Sequence, residues 1–356
     1  MKKLFALCFL LSAFCLLPNA TFAQKQERIK TETAVFTKNY KVNPKDQLVI
    51  DTRFTKIVFQ EWERNEIEFT STLKMKIITE KDVKAFAKLS PYLDKTSNQF
   101  GKKITYKLNE NLDNFKNYEI TLLVKMPKEI FINITSSFGN IEMPDVSNDF
   151  NATVSFGDLH IKNLLGSKNT INLKHGKLGI GDVNFLSLDA QFATGKLNEV
   201  GELQLNSRFS KIEMVRAKSI ECTSAHDKIS IQHNVDNIKG TMEYGTLKIG
   251  SLKNLCVFTK FSFSNITIDK VLDSFTNIYF SSAHSTISLN LPQDQSFAFD
   301  YSGSFTKFKD EYVRWNYATY EASNNSVQIS GFYGDHRDSG KSVKITASFG
   351  TVSLFE

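Results

Sequence analysis

The sequence predicts an all-β chain, a parallel β-solenoid (β-helix) of about 18–20 residues per coil, and three observations carry that expectation. First, an octet recurs: Ser136-Ser137-Phe138-Gly139-Asn140-Ile141-Glu142-Met143, then Val154-Ser155-Phe156-Gly157-Asp158-Leu159-His160-Ile161, then Leu173-Lys174-His175-Gly176-Lys177-Leu178-Gly179-Ile180. With the aromatic residue or histidine as anchor, later copies centre on Phe209, His226, Tyr244, Phe263, His284 and Phe349. Second, the anchors between 138 and 284 fall roughly every 17 to 21 residues, a solenoid period. Third, the residues three and five after each anchor are apolar, as in Ile229 and Ile231 or Ile266 and Ile268. A spacing of two makes the unit a strand, not a helix. One coil cannot bury its apolar face alone, whereas coils stacked about 4.8 Å apart close a continuous core. A β-sandwich of many short strands is the alternative, but it needs no fixed period. The glycine after several anchors is expected to supply a bend with positive φ.

Residues 1–23 read as an export signal. Lys2 and Lys3 precede the apolar run Leu4 to Leu17, and Thr21-Phe22-Ala23 offers a cleavage site before Gln24. The run is too short to span a bilayer, so no transmembrane segment is expected in the mature chain. Residues 24–128 read as an N-terminal β-strand cap. Alternating runs at Leu48 to Ile50, Lys56 to Gln60 and Ile67 to Ile77 predict strands. An isolated copy of the octet centres on Phe54. Thr79 is placed to cap a helix over about 80–90, with Val83, Phe86 and Ala87 on one face. That helix is expected to cover apolar surface of the first coil, and Pro91 to end it or begin a short turn. Strands resume at Lys103 to Leu108 and Tyr118 to Met126. A separate binding domain is the other reading of this region.

The solenoid itself is expected over 129–295. Its one degenerate unit, Phe192 to Leu197, keeps only one of the two apolar positions. Ile141, Leu159, Leu178, Ile212, Ile229, Leu247, Ile266 and Ile287 should form one buried stack. Residues 296–356 read as C-terminal coils with an irregular hairpin or cap. The period fails there, and an aromatic-rich insertion occupies 309–341.

The formal net charge is +6 over 356 residues, and its basic residues are dispersed. No nucleic-acid signature is present, so nucleic acid is not an expected partner. His175, His226 and His284 share the anchor position three coils apart, about 14 Å by the coil spacing. One metal ion cannot bridge that distance, so no metal or cofactor is expected and these histidines read as substitutes for Phe in a corner stack. Cys222 and Cys256 suggest a disulfide in an exported chain. Two coil steps exceed its reach, however, which favours buried free thiols.

The columns two and four residues after the anchors carry no carboxylates on adjacent coils. The acid–base pair of a polysaccharide-cleaving solenoid is missing there. No G-x-S-x-G, H-E-x-x-H or phosphate-binding glycine loop occurs. The chain is therefore expected not to be an enzyme, with catalytic residues: none. The aromatic insertion is the candidate binding surface: Tyr312, Trp315, Tyr317 and Tyr320 supply stacking area with polar tips. The same residues would alternatively cap the last coil, and the sequence favours that reading, because a long β-solenoid must close its C-terminal end and this is the irregular segment there.

The repeated Ser-Phe-Gly-x-Ile-x-Ile-like units, together with the export signal and the strand Tyr118 to Pro127 before the first unit, resemble the bacterial exported β-strand-repeat family of unknown function, usually labelled "putative adhesin". The similarity covers most of residues 34–356. It implies an exported, non-enzymatic solenoid of the bacterial envelope: periplasmic, outer-membrane-associated or extracellular. It brings no ligand residues with it. Two functions follow as expectations: an adhesin-like scaffold that meets a protein or glycan of a cell surface or matrix, and a periplasmic regulatory protein that senses the envelope through a partner. A polysaccharide lyase or hydrolase is a third.

Overall fold

The computed structural model describes residues 30–77, 79–86, 91–98, 101–108, 118–312, 314–335 and 339–355. Residues 1–23, expected to be an export signal with its cleavage site, lie outside these residues. The described chain is all-β, with one short helix, Glu80–Phe86.

In the middle of the chain each repeat places one strand before its anchor and one after it. Phe131–Ser137, Phe150–Ser155, Asn169–Lys174 and Val183–Gln191 pair in parallel, each with the next and in register. Ile141–Met143, Leu159–Ile161 and Lys177–Ile180 do the same beyond the anchors. From Thr194 onward the two runs merge into long bent strands: Thr194–Arg208, Lys211–Ala225, Lys228–Glu243 and Thr246–Ser262. A third line of pairing runs through Val146, Leu164, Val183, Val200, Ala217, Val235, Leu252 and Val271.

Register decides what the core is made of. Because the rungs pair residue for residue, the eight aliphatic residues from Ile141 to Ile287 form one column, none more than 2% exposed. Each contributes about 1.5–3 kcal/mol by leaving water. Gly195 stands where the degenerate unit lacks its aliphatic side chain. A Cβ there would lie 2.9 Å from Ile212 Cδ1, so Ile212 fills the vacancy and the column stays packed.

The anchors form the corner between the two runs. Twelve of them have positive φ, between 49° and 59°. The bend therefore sits on the aromatic residue or histidine, not on the following glycine as the sequence suggested. The left-handed region costs an ordinary residue about 1–2 kcal/mol. Two compensations are visible. Each ring stacks on its neighbours, and each such pair contributes about 0.5–1.5 kcal/mol. The anchor N–H groups also donate across the rungs, as Phe138 to Ser155 O and Phe209 to Ala225 O. The glycines do a different task. A Cβ on Gly157 would lie 2.1 Å from Gly139 O, so at these rungs the close approach of backbones requires their absence of a side chain.

The sheet is mixed, so the chain as a whole is all-β and not a purely parallel β-solenoid. Both ends carry antiparallel strands. At the N-terminal end the copy at Phe54 is not isolated in space. Its strands Gln47–Arg53 and Thr55–Glu61 pair in parallel with Phe131–Ser137 and Ile141–Met143. Gly101–Leu108 and Tyr118–Met126 add outside them, also parallel. Pro91–Asn98, Glu66–Ile77 and Lys30–Lys41 then close the end antiparallel. Pro91 thus begins an edge strand, where its missing N–H is tolerated, and not a turn.

The expected helix is present over Glu80–Phe86, and the rest of its expected span, 87–90, lies outside the described residues. Thr79 and Asp82 cap it reciprocally, Asp82 N donating to Thr79 Oγ1 (3.3 Å) and Thr79 N to Asp82 Oδ2 (2.8 Å). Phe86 packs on a satellite cluster of Leu73, Met75 and Ile120. The helix therefore covers this cluster, while strands cover the end of the main core.

At the C-terminal end chain order and spatial order part. Ser342–Ser348 lies between Asn277–Ala283 and Phe297–Ser304, parallel to both. Thr351–Phe355 likewise lies between Thr286–Asn290 and Lys307–Asp310. The copy at Phe349 is therefore the last but one rung. The outermost is centred on Phe305, which the sequence reading placed beyond the period. Beyond it, Ser326–Tyr333 pairs antiparallel with Phe297–Ser304, and Trp315–Ala322 pairs antiparallel with Ser326–Tyr333.

Candidate functional site

The aromatic insertion divides into a buried half and an exposed half. Tyr312 belongs to the first. It is 5% exposed, and its hydroxyl accepts from Leu291 N (2.7 Å) and lies 2.6 Å from Leu291 O and 2.9 Å from Phe355 O. One hydroxyl thereby ties the end of the regular rungs to the end of the chain. Tyr333 is buried against Phe297, with ring centroids 5.2 Å apart.

Trp315 is half-buried, edge-on to Phe297 at 6.0 Å and tilted on Phe299 at 4.8 Å. Its Nε1 finds no hydrogen bond of good geometry. Burial raises the nearby Asp310 carboxyl above its ordinary range, while the Tyr312 N–H and then the Trp315 indole favour its charged form.

Tyr317 and Tyr320 are the exposed half, at 46% and 58%. They continue a row from Trp315, with centroids 6.0 Å and then 5.5 Å apart. Partial burial raises the Tyr317 hydroxyl pKa first, then the charges of Asp310 and Tyr320. The strand that carries them, Trp315–Ala322, pairs on one side only among the described residues. A bulge lies between Tyr317 and Thr319, a feature that re-aims side chains at sheet edges. The four predicted residues thus lie on one segment but in two environments. Tyr312 is structural, Trp315 is the base of the shelf, and Tyr317 and Tyr320 form its outer face.

A second candidate was missed in the sequence. The columns three and five residues before the anchors form an open groove of about 540 Å³ lined by Asn172, Ser187, Asp189, Gln204, Asn206 and Glu221. Asp189 accepts from Asn206 Nδ2 (2.8 Å) and Gln191 Nε2 (3.2 Å). Glu221 pairs with Lys239 at 3.2 Å. The signal lay upstream of the anchors, where the outward positions are mostly Asn, Ser, Thr and Gln. Asp189 and Glu221 stand in different columns two rungs apart, so this face does not bring two carboxylates onto one pair of adjacent positions.

Among the described residues no cluster of three His, Cys, Asp or Glu side chains could hold a metal ion. His175 lies between Phe156 and Phe192, His226 between Phe209 and Tyr244, and His284 between Phe263 and Phe349, all at 4.6–4.9 Å. Cys222 and Cys256 are free and buried. Burial, then the Asp227 charge, pushes the Cys222 thiol up to about 12, and burial raises Cys256 further. Both are unreactive in the folded chain. Asp227 is itself buried, with Ser207 and Ser224 hydroxyls donating at 2.7 Å and Ser210 N at 2.6 Å. It is a satisfied structural carboxylate. No helix among the described residues is long and apolar enough to cross a membrane.

No protein-family model matches the chain. No curated protein matches it. Among solved structures it is similar to a "putative cell adhesion protein" from Clostridium sporogenes ATCC 15579, at 9% identity over 91% of this chain and 99% of that one, with a TM-score of 0.22. It is also similar to a "putative lipid binding protein" from Parabacteroides distasonis ATCC 8503, at 15% identity over 67% and 96%, with a TM-score of 0.37. A "putative adhesin" from Bacteroides fragilis NCTC 9343 aligns at 9% identity over 90% and 97%, with a TM-score of 0.28. Likenesses this distant carry no argument about what this chain binds.

Proposed function

We propose that the chain is an exported, non-enzymatic β-solenoid, an adhesin-like scaffold that holds the Trp315–Tyr317–Tyr320 shelf out to a protein or glycan of a cell surface or matrix. The observation that carries this reading is the exposed tyrosine pair on an edge strand whose base is packed into the core. Exposed tyrosines supply contact area at low entropic cost when their backbone is already fixed. The dispersed outer carboxylates support the non-enzymatic part. The pattern of residues 1–23 supports export. The solenoid reading rests on the in-register parallel rungs, with the antiparallel strands as end closures.

The test is attachment of cells, or of beads bearing the protein, to host-matrix and glycan surfaces, for wild type and the double variant Tyr317→Ala/Tyr320→Ala. Lost attachment at an unchanged melting temperature supports the proposal. Attachment equal to wild type sinks the shelf as the binding site. Labelling of intact cells with a membrane-impermeant reagent tests the location, and full protection would exclude a surface scaffold.

A further inference from the structure

The anchors form a second surface, along one ridge of the molecule and independent of the shelf. Their twelve rings stack from Phe54 to Phe305 through eleven centroid spacings of 4.6–5.1 Å, with interplanar angles of 2–16°. The row is about 50 Å long at a strand spacing of about 4.8 Å. Stacking covers the ring faces, so the ring edges meet solvent. Phe192 is 52% exposed and Phe209 46%. An apolar stripe of this length exceeds what a soluble chain leaves open without use.

The charges beside the row say what would cover it. The residue before each anchor and the residue two after it both point outward. Around the four central rungs, His175 to His226, these eight positions hold Lys174, Lys177, Arg208, Lys211 and Lys228, and no acid. Lys211 is held by Glu213 at 2.5 Å. The other four make no ion pair with any described residue. The chain as a whole is nearly balanced, with 44 basic and 38 acidic residues, so the bias belongs to this ridge.

We infer that this ridge lies on an anionic lipid surface. The ring edges would enter the boundary between headgroups and acyl chains. The Lys and Arg stems would lie along the apolar stripe and place their charges at lipid phosphates. A soluble acidic polymer would use the cations but gain little from the rings, because the faces that would stack on it are already covered. A bilayer uses both.

The experiment is vesicle flotation of the purified chain at pH 8, with phosphatidylcholine alone and with phosphatidylcholine:phosphatidylglycerol vesicles, at low and high salt. The expected result is binding to the anionic vesicles only, weakened by salt. Lys174→Gln/Arg208→Gln/Lys228→Gln should weaken it at least about tenfold. Phe192→His/Phe209→His should weaken it with the fold intact, because histidine already occupies three positions of the same stack. Phe192→Asn/Phe209→Asn serves as a second pair, since Asn tolerates positive φ. Lys239→Gln/Lys344→Gln, on a different face, should bind like wild type.

No flotation with either vesicle overturns the proposal. So does loss from the Lys239/Lys344 control as large as from the ridge variants. Ring variants that bind as wild type, together with full displacement by heparin, would show a polyanion site read by charge alone. None of these variants touches Tyr317 or Tyr320, so failure here leaves the shelf proposal standing.

Discussion

The two ends of the stacked rungs are closed by the same device and finished with different chemistry. At each end antiparallel strands cover parallel ones. The N-terminal edge strand Lys30–Lys41 carries Lys30, Glu32, Lys38 and Lys41, and its neighbour edge Pro91–Asn98 opens with a proline. Charges and proline are the ordinary protection of an open sheet edge. The C-terminal edge strand Trp315–Ala322 carries a single formal charge, Glu321, and exposes two tyrosines. The N-terminal edge is thus lined with charge around an exposed Val35, whereas the C-terminal edge is nearly uncharged and aromatic.

The largest test concerns the region both ends protect. Ile229→Asp buries an unpaired carboxylate between Ile212 and Leu247, which no water reaches. Loss of the cooperative far-UV dichroism transition is expected. A melt like wild type would mean the register is wrong and the contrast between middle and ends with it.

Replacing residues 315–333 by a short Gly-Ser link strips the edge of Phe297–Ser304. A loss of several kcal/mol is expected from removing Trp315, Ile329 and Tyr333 and uncovering Phe297 and Phe299 beneath them, at about 1.5–3 kcal/mol for each large side chain, with concentration-dependent association in sedimentation. Cys222 and Cys256 should stay closed to a thiol reagent in this variant at neutral pH, since their burial belongs to the middle. Rapid labelling would mean that the ends and the middle open as one unit.

Tyr312→Phe removes the hydroxyl shared by Leu291 and Phe355 and should cost about 1–3 kcal/mol in denaturant unfolding. A neutral result would detach this tyrosine from the closure of the C-terminal end. Lys38→Val/Lys41→Val should change stability by less than about 0.5 kcal/mol, as an exposed site does, while producing association through the N-terminal edge. A variant that remains monomeric would show that charge is not what keeps this end apart. The smallest thermal effect is expected of Tyr317→Ala/Tyr320→Ala, again within about 0.5 kcal/mol. Trp315 is excluded from that pair because its packing on Phe297 and Phe299 would confound the reading.

The repeat, its strand period and the buried column from Ile141 to Ile287 were legible because apolar residues recur at fixed offsets from a visible anchor. Spatial order at the ends was not. Alternation by two is the same in parallel and antiparallel strands, so Lys30–Lys41 and Trp315–Ala322 announce a strand but not its direction. The Phe305 copy was obscured by Asp310, which stands where an aliphatic residue marks other copies. The positive φ of the anchors was hidden for another reason. Local propensity assigns that conformation to glycine, and only the stack between rungs makes it tolerable for a phenylalanine. In the aromatic insertion composition pointed to the right segment, but only packing separates Tyr312 from Tyr317.

The placement of Ser342–Phe355 inside the array also orders events in time. Rungs up to Thr286–Asn290 can add one after another as the chain emerges. The next segment, Phe297–Ser304, has no parallel neighbour until the last residues of the chain arrive and slot in beside it. A chain stopped after residue 341 therefore loses the platform of its aromatic hairpin, not merely a tail. The hairpin that carries Tyr317 and Tyr320 is thus joined to the regular rungs through Ser342–Ser348, a strand late in sequence and interior in space.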